Sequence, residues 1–162
     1  MTYNNIKKQV IDEVCEEDLL EIKDWVQRND FLPEEDKKGK RYILRKEKGG
    51  KPLGVISWYP AKQFENIHDI KFGDVTSAVY IYEFGMNPEY ANEQNVIRFL
   101  VKVLKELEEK GMVFVYFKEN FEILKNILKC NRGAIWDEGA GTFMVGEVKY
   151  ILKSLYKNND LD

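Results

Sequence analysis

Two hydrophobic rhythms run through the chain, one with a period of two and one of three to four. Val96, Phe99, Leu100, Val103, Leu104 and Leu107 recur at spacings of three and four, which lays one apolar stripe along a helix. Lys110-Gly111 then supplies its stop. The same rhythm predicts a helix over about Glu16 to Arg28, with Leu19, Leu20, Ile22 and Val26 facing inward and Trp25 nearby. Asp18 in its first turn complements the helix dipole. A further helix is predicted over about Asn120 to Lys129, with Phe121, Leu124 and Leu128 on one side.

The strand-like runs lie between these helices. Ile6 to Ile11 reads as a first strand, and Met112 to Phe117 as a continuous apolar one. Arg41 to Lys46 and Leu53 to Tyr59 flank Lys48-Gly-Gly-Lys-Pro52, a strong hairpin signal. Ala134 to Asp137 and Thr142 to Val148 form a second hairpin around Glu138-Gly-Ala-Gly141. An aromatic-rich strand from Tyr80 to Met86 ends before Pro88, which cannot donate to a ladder. Residues 29–40, with Pro33 and Gly39, read as a loop or a short second helix, and residues 60–76 as a long connection.

The order is strand, helix, two strands, long strand, helix, strand, helix, two strands. A helix joining the strands before and after residues 96–110 implies a parallel pair inside an otherwise antiparallel sheet. The expected class is therefore α+β: a mixed, mostly antiparallel sheet with flanking helices in three layers. Residues 1–162 read as one domain, with a core over about 5–148 and a tail over 149–162.

Composition narrows the partners. The 162 residues are 44% hydrophobic and 33% charged, with a net charge of −3 and a pI near 5.4. No global basic field draws such a chain to nucleic acid or anionic lipid. The run Lys37, Lys38, Lys40, Arg41 follows Glu34, Glu35 and Asp36 and reads as a solvated loop before a phosphate-binding patch. No apolar run nears the ~18 residues of a membrane span, and no signal peptide is read at the start. Cys15 and Cys130 are far apart in sequence and fit reduced thiols in the cytoplasm. No His, Cys and carboxylate cluster suggests a metal, and no Gly-x-Ser-x-Gly elbow suggests a hydrolase.

Candidate chemistry concentrates in Tyr80-Ile-Tyr-Glu-Phe-Gly-Met-Asn-Pro-Glu-Tyr90. A helix beginning just past a strand end presents backbone N–H groups and a positive dipole end, which suits an anionic group such as a pyrophosphate. Glu83, Phe84, Met86, Pro88 and Tyr90 resemble the fourth-strand-to-third-helix passage of the GNAT superfamily of N-acetyltransferases, which reads acidic–apolar–x–Val–x–Pro–x–Tyr. Glu17-Asp18-Leu19 with Ile22 resembles the family's opening helix, and Asn120 to Gly133 is similar to its fourth. The resemblance covers about residues 5–148.

A GNAT-like acyl-CoA N-acyltransferase fold is what this resemblance implies, with transfer of an acetyl group from acetyl-CoA to a small-molecule or peptidic amine by direct attack on the thioester. It implies pantetheine contacts at Phe84, Gly85 and Met86, and phosphate contacts over Ala91, Asn92, Glu93, Gln94, Asn95 and Val96. It implies a further coenzyme contact at Asn120 and a general base at Glu83. A homodimer is the one protein partner it suggests. Gly85 can equally serve to relieve crowding beside Tyr82 and Phe84, and Glu83 to bond a tyrosine or face solvent.

This chain departs from the family pattern in the phosphate loop. Asn92, Gln94 and Val96 stand at its glycine positions, Ala91 at the usual arginine, and Glu93 adds a negative charge. The helix-four tyrosine position falls at Ile127 or Lys129; Cys130 nearby reads as core filler. His68, the only histidine, reads as a surface residue of the long connection. Asp137 and Glu138 could attract a cationic amine or simply solvate a turn, and Trp58 and Trp136 read as packing in or near the sheet. The alternative to an enzyme is a GNAT-fold binding or interaction module that has lost the coenzyme.

Overall fold

The computed structural model describes residues 10–13, 16–28, 40–45, 47–68, 75–130, 133–137 and 142–159. Strand β1 (Val10–Glu13) leads through a 3-10 turn (Glu16–Asp18) into helix α1 (Leu19–Lys23), and a two-residue strand β2 (Gln27–Arg28) follows. Strands β3 (Lys40–Arg45) and β4 (Pro52–Pro60) form the first hairpin, and helix α2 (Ala61–His68) succeeds it. Next come β5 (Ala78–Met86), the long helix α3 (Glu93–Glu109), β6 (Phe114–Lys118) and α4 (Glu122–Cys130). The strands β7 (Gly133–Asp137) and β8 (Thr142–Glu147) then run into helix α5 (Val148–Asn158).

Seven strands stand in the order β1-β3-β4-β5-β6-β8-β7, with β2 off this row against β5. Every pairing is antiparallel except β5 with β6. That is the parallel pair expected across a crossover helix. Three helices cover one face: α3, α4 and α5 bury Phe99, Val103, Leu107, Leu124, Ile151 and Leu155 against Ile81, Phe84, Val115 and Phe117. On the other face α2 sets Phe64 against Tyr59, Tyr80 and Tyr82, and α1 sets Ile22 against Ile43 and Val55. The result is three layers with a central strand, β5, buried along its whole length.

One irregularity shapes the centre. Ser57 opposes Glu83 while Trp58 opposes Ile81, so Tyr82 is an extra residue on β5. A bulge of this kind breaks the alternation of the strand and bends it. Ile81 and Phe84 consequently face the three-helix layer, whereas Tyr82 joins the opposite cluster. Glu83 shares that opposite side with Ser57, to which it is hydrogen-bonded.

Four sequence expectations are corrected. The helix expected over Glu16–Arg28 ends at Lys23. Leu19 and Leu20 are exposed, and only Ile22 of the expected inward set is fully buried. Pairing of Gln27 and Arg28 with β5 supplies hydrogen bonds that outweigh a further helical turn. The connection over 60–76 contains α2, whose buried face is too small to register as a stripe: Ala61, Phe64 and Glu65. His68 lies at the end of that helix. The expected tail begins as α5, with Val148, Ile151, Leu152 and Leu155 buried at helical spacing. Arg41, read both as the start of a strand and as the end of a solvated basic run, does lie in β3, but its guanidinium is paired with Glu83 and not solvated as a loop side chain. Residues 6–9 of the expected first strand, residues 29–39 with Lys37 and Lys38, and the turn over 138–141 lie outside the described residues.

A buried ion pair fixes the amino end of α1. Arg45 Nη1 donates to Asp18 Oδ1 at 3.0 Å, and Nη2 lies 2.6 Å from Oδ2. Arg45 Nη1 also donates to the Gly50 carbonyl, which ties the first hairpin's turn into the same arrangement.

Candidate functional site

β5 and β6 pair over Ala78–Tyr80 and Phe114–Tyr116 and over no later residue. Beyond Tyr80, just where the bulge bends it, β5 runs on to Met86 while β6 stays paired with β8 through Lys118. The two strands therefore part, and α3 begins soon after β5 ends.

The edge of β5 left by β6 is covered. β4 occupies the other edge of β5, so β2 pairs on the side facing the gap, with Gln27 opposite Phe84 and Arg28 opposite Glu83. Gln27 Nε2 donates across the gap to the Asn120 carbonyl at 3.2 Å, just past the end of β6. The backbone before β2 passes directly over Gly85. A Cβ there would stand 2.6 Å from the Trp25 carbonyl oxygen and 2.9 Å from Val26 Cα, closer than real contacts come. Close backbone approach at Gly85 is thus real, and the approaching backbone is the protein's own.

Arg41, Ser57, Glu83 and Arg28 lie in one cross-strand row over β3, β4, β5 and β2. Glu83, fully buried, accepts from Arg41 Nε at 2.9 Å, from Arg41 Nη2 at 3.0 Å and from Ser57 Oγ at 2.7 Å. Arg28 Nη1 is 3.3 Å from its other oxygen, and the same guanidinium lies 5.4 Å from the centre of the Tyr82 ring. Glu83 therefore bonds two arginines and a serine, in place of the tyrosine or open solvent considered from sequence. Fork-shaped pairing of this kind fixes both orientation and position.

A cavity of about 590 Å³ opens at the amino end of α3. Ala91, Asn92, Glu93, Val96 and Ile97 form one wall, Ile123, Asn126 and Ile127 of α4 another, and Leu155, Asn158 and Asn159 the third. Four of the expected coenzyme positions, Ala91, Asn92, Glu93 and Val96, are thus brought together. Asn92 caps α3 by accepting from the Asn95 N–H at 2.9 Å. Asn95 Nδ2 in turn donates to the Tyr90 carbonyl at 2.8 Å, so two side-chain amides brace the turn, one of them, Asn92, at an expected glycine position. Among the described residues no lining side chain is basic, Glu93 is acidic, and the carboxyl end of α5 brings its negative dipole end to the third wall.

The remaining expected residues are placed as follows. Phe84 is buried against Phe99 and Phe121, and Met86 lies in the same core, so both side chains point away from the strap at Gly85. Asn120 meets the gap through its backbone carbonyl. Trp58 packs in the core, stacked on Tyr42 at 4.7 Å, as expected. Side chains of His68, Cys130, Trp136 and Asp137 lie outside the described atoms. Sequence reasoning missed Arg28, Arg41 and Ser57. Their one signal was an arginine at each end of the polar stretch 28–41, flanking the strand that carries Glu83 only after folding. Among the described residues no group of three or more His, Cys, Asp or Glu could hold a metal, and no helix is long and apolar enough to cross a membrane.

No protein-family model matches the sequence, and no curated protein matches it. Solved structures do resemble it in three dimensions. An aminoglycoside acetyltransferase AAC(6')-Ib in complex with coenzyme A and kanamycin superposes with a TM-score of 0.60 at 15% identity, over 90% of this chain and 98% of that one. An acetyltransferase of the GNAT family from Staphylococcus aureus Mu50 gives 0.56 at 13% identity, over 86% and 99%. A spermidine N-acetyltransferase SpeG chimera from Vibrio cholerae and hSSAT gives 0.55 at 10% identity, over 90% and 98%.

Proposed function

We propose that this chain, which has the GNAT acetyltransferase fold, is an N-acetyltransferase that takes an acetyl group from acetyl-CoA and delivers it to a small-molecule or peptidic amine. The observation that carries the reading is the parting of β5 from β6 past Tyr80 and Tyr116, next to the cavity at the amino end of α3. The likeness to enzymes crystallised with coenzyme A, or named for spermidine, supports the reaction class.

Fit to the coenzyme divides along its length. The cavity has the volume for part of such a molecule, and the α3 amino end offers backbone N–H groups to an anion. Against this, the described residues of its walls carry no cation, and the β5 edge at Gly85 is filled by Trp25 and Val26. A pantetheine arm does not fit at that edge in the arrangement described.

On the acceptor side, an amine arrives protonated near neutral pH and must lose a proton before it can attack. Glu83 is the carboxylate we assign to that task, directly or through water. It lies on the β5 edge at the gap, and Arg41 and Ser57 hold it in one orientation. The cytoplasm is the compartment we assign, supported by two cysteines whose separation fits reduced thiols.

Calorimetric titration with acetyl-CoA and with coenzyme A tests the reading. Micromolar binding is expected, and its absence at millimolar ligand would overturn it. The strap across Gly85 favours a second reading, a GNAT-fold interaction module without coenzyme, and absent binding would leave that one standing.

A further inference from the structure

We infer that Trp25–Arg28 is a displaceable strap that holds the acetyl-donor slot shut, an internal competitor for the same backbone edge. The inference rests on the acetyltransferase reading above and adds a regulation to that site. Three observations on different residues converge on it. Gln27 and Arg28 take the ladder positions beside Phe84 and Glu83 on the side from which β6 has withdrawn. Trp25 and Val26 press backbone to backbone on Gly85, within distances no side chain could share. Gln27 Nε2 spans the gap to the Asn120 carbonyl, so the strap is tied to both of the parted strands.

The fastening is light. β2 contributes only two residues to the sheet, and both are exposed, as is the Gln27–Asn120 bond. An exposed hydrogen bond exchanges readily with water and is worth little net. Arg28 is a third exposed in its side chain, so its pair with Glu83 is partly screened. By contrast the strap's amino-terminal half is its root: Trp25 and Val26 are half-buried against the Ile22, Ile43 and Val55 cluster and their N–H groups bond the Ile22 carbonyl, so Gln27 and Arg28 are the end that lifts first. A short, weakly held segment on a fixed root can lift without unfolding the sheet. A ligand that pairs with the β5 edge then binds with the cost of lifting subtracted from its affinity.

The test titrates coenzyme A into the full chain and into Gln27→Ala, and follows hydrogen exchange at the amides of residues 26–28. The expected result is binding tightened by about three- to tenfold in Gln27→Ala, the range for losing one weak hydrogen bond from the closed form. Faster exchange over 26–28 should accompany coenzyme binding in both proteins. Equal affinities, with protection over 26–28 unchanged by coenzyme, would overturn the strap and leave the acetyltransferase reading intact. No binding by either protein would overturn both.

Discussion

Arg28 and Glu83 stand opposite one another on β2 and β5, with Nη1 3.3 Å from the carboxylate. They complete a row that Arg41 and Ser57 begin on β3 and β4. One carboxylate thus links four strands at the place where the sheet comes apart. Its own position depends on the extra residue at Tyr82, which turns it to the side of Ser57.

Glu83→Gln keeps the volume and loses the charge. Turnover with an amine acceptor is expected to fall about 10²-fold or more, the usual scale for a positioned base. Coenzyme affinity should not fall, since loss of the Arg28 pair can only loosen the segment over residues 27 and 28. Unchanged turnover in a steady-state assay would remove Glu83 from the chemistry and leave it a role in holding the strands.

Arg45→Met leaves Asp18 buried without its guanidinium partner. Removing one member of a buried pair typically costs about 3–5 kcal/mol. Urea denaturation should show that loss, and Asp18→Asn should be costly as well, because the buried Arg45 guanidinium keeps its charge and loses its counter-ion. A midpoint equal to wild type in Arg45→Met would mean that the pair does not anchor α1.

Gly85→Ala puts a methyl group against the backbone of Trp25 and Val26. Overpacking of this kind costs about 1–3 kcal/mol. Thermal unfolding should register it, and amide exchange at Gln27 and Arg28 should rise. Wild-type melting with wild-type exchange would contradict the close approach.

Leu155→Ala asks whether the carboxyl-terminal helix belongs to the core. Leu155 is fully buried in the cluster shared by α3 and α4 and also walls the cavity. A loss of about 2–5 kcal/mol is expected. A loss below ~0.5 kcal/mol, the surface range, would detach α5 from the fold's stability.

Lys102 on α3 offers a pH-dependent case. Burial first, and then the neighbouring Lys105, push its ammonium below the ordinary lysine value of 10.5. A base with a lowered folded value binds its proton more tightly when unfolded. Stability is therefore reduced in full below the folded value, and recovers as pH rises from there to 10.5. Lys102→Met should stabilise by a few tenths of a kcal/mol at neutral pH, since the site is half open to solvent. The advantage should shrink in denaturation curves taken toward pH 10.5.

The three-layer sheet was legible because its longest signals are local. The stripe from Val96 to Leu107 and the Lys48–Pro52 turn fix α3 and the first hairpin before any tertiary contact is known. α5 reads as a tail although Val148, Ile151, Leu152 and Leu155 recur at helical spacing, because it adjoins a strand with no turn residue to separate them. The strap could not be read. Trp25 to Arg28 carries a helix-compatible sequence, and the partner that draws it out, Phe84 and Glu83, is more than fifty residues away in the chain. Glu83 and Gly85 were found as positions, while their neighbours were not, because Arg41, Ser57 and Trp25 reach them only through strand register.

The extra residue at Tyr82 puts the two halves of β5 out of phase with each other. Were Tyr82 instead taken into the ladder as an ordinary paired residue, Ala78 to Tyr80 would keep their places beside β6, but the half nearer α3 would turn over. Phe84 would then leave Phe99, Glu83 would enter the hydrocarbon layer beneath α3, and the polar row would lose its centre. One residue left out of the ladder separates a strand that merely packs from one that also carries a charged centre.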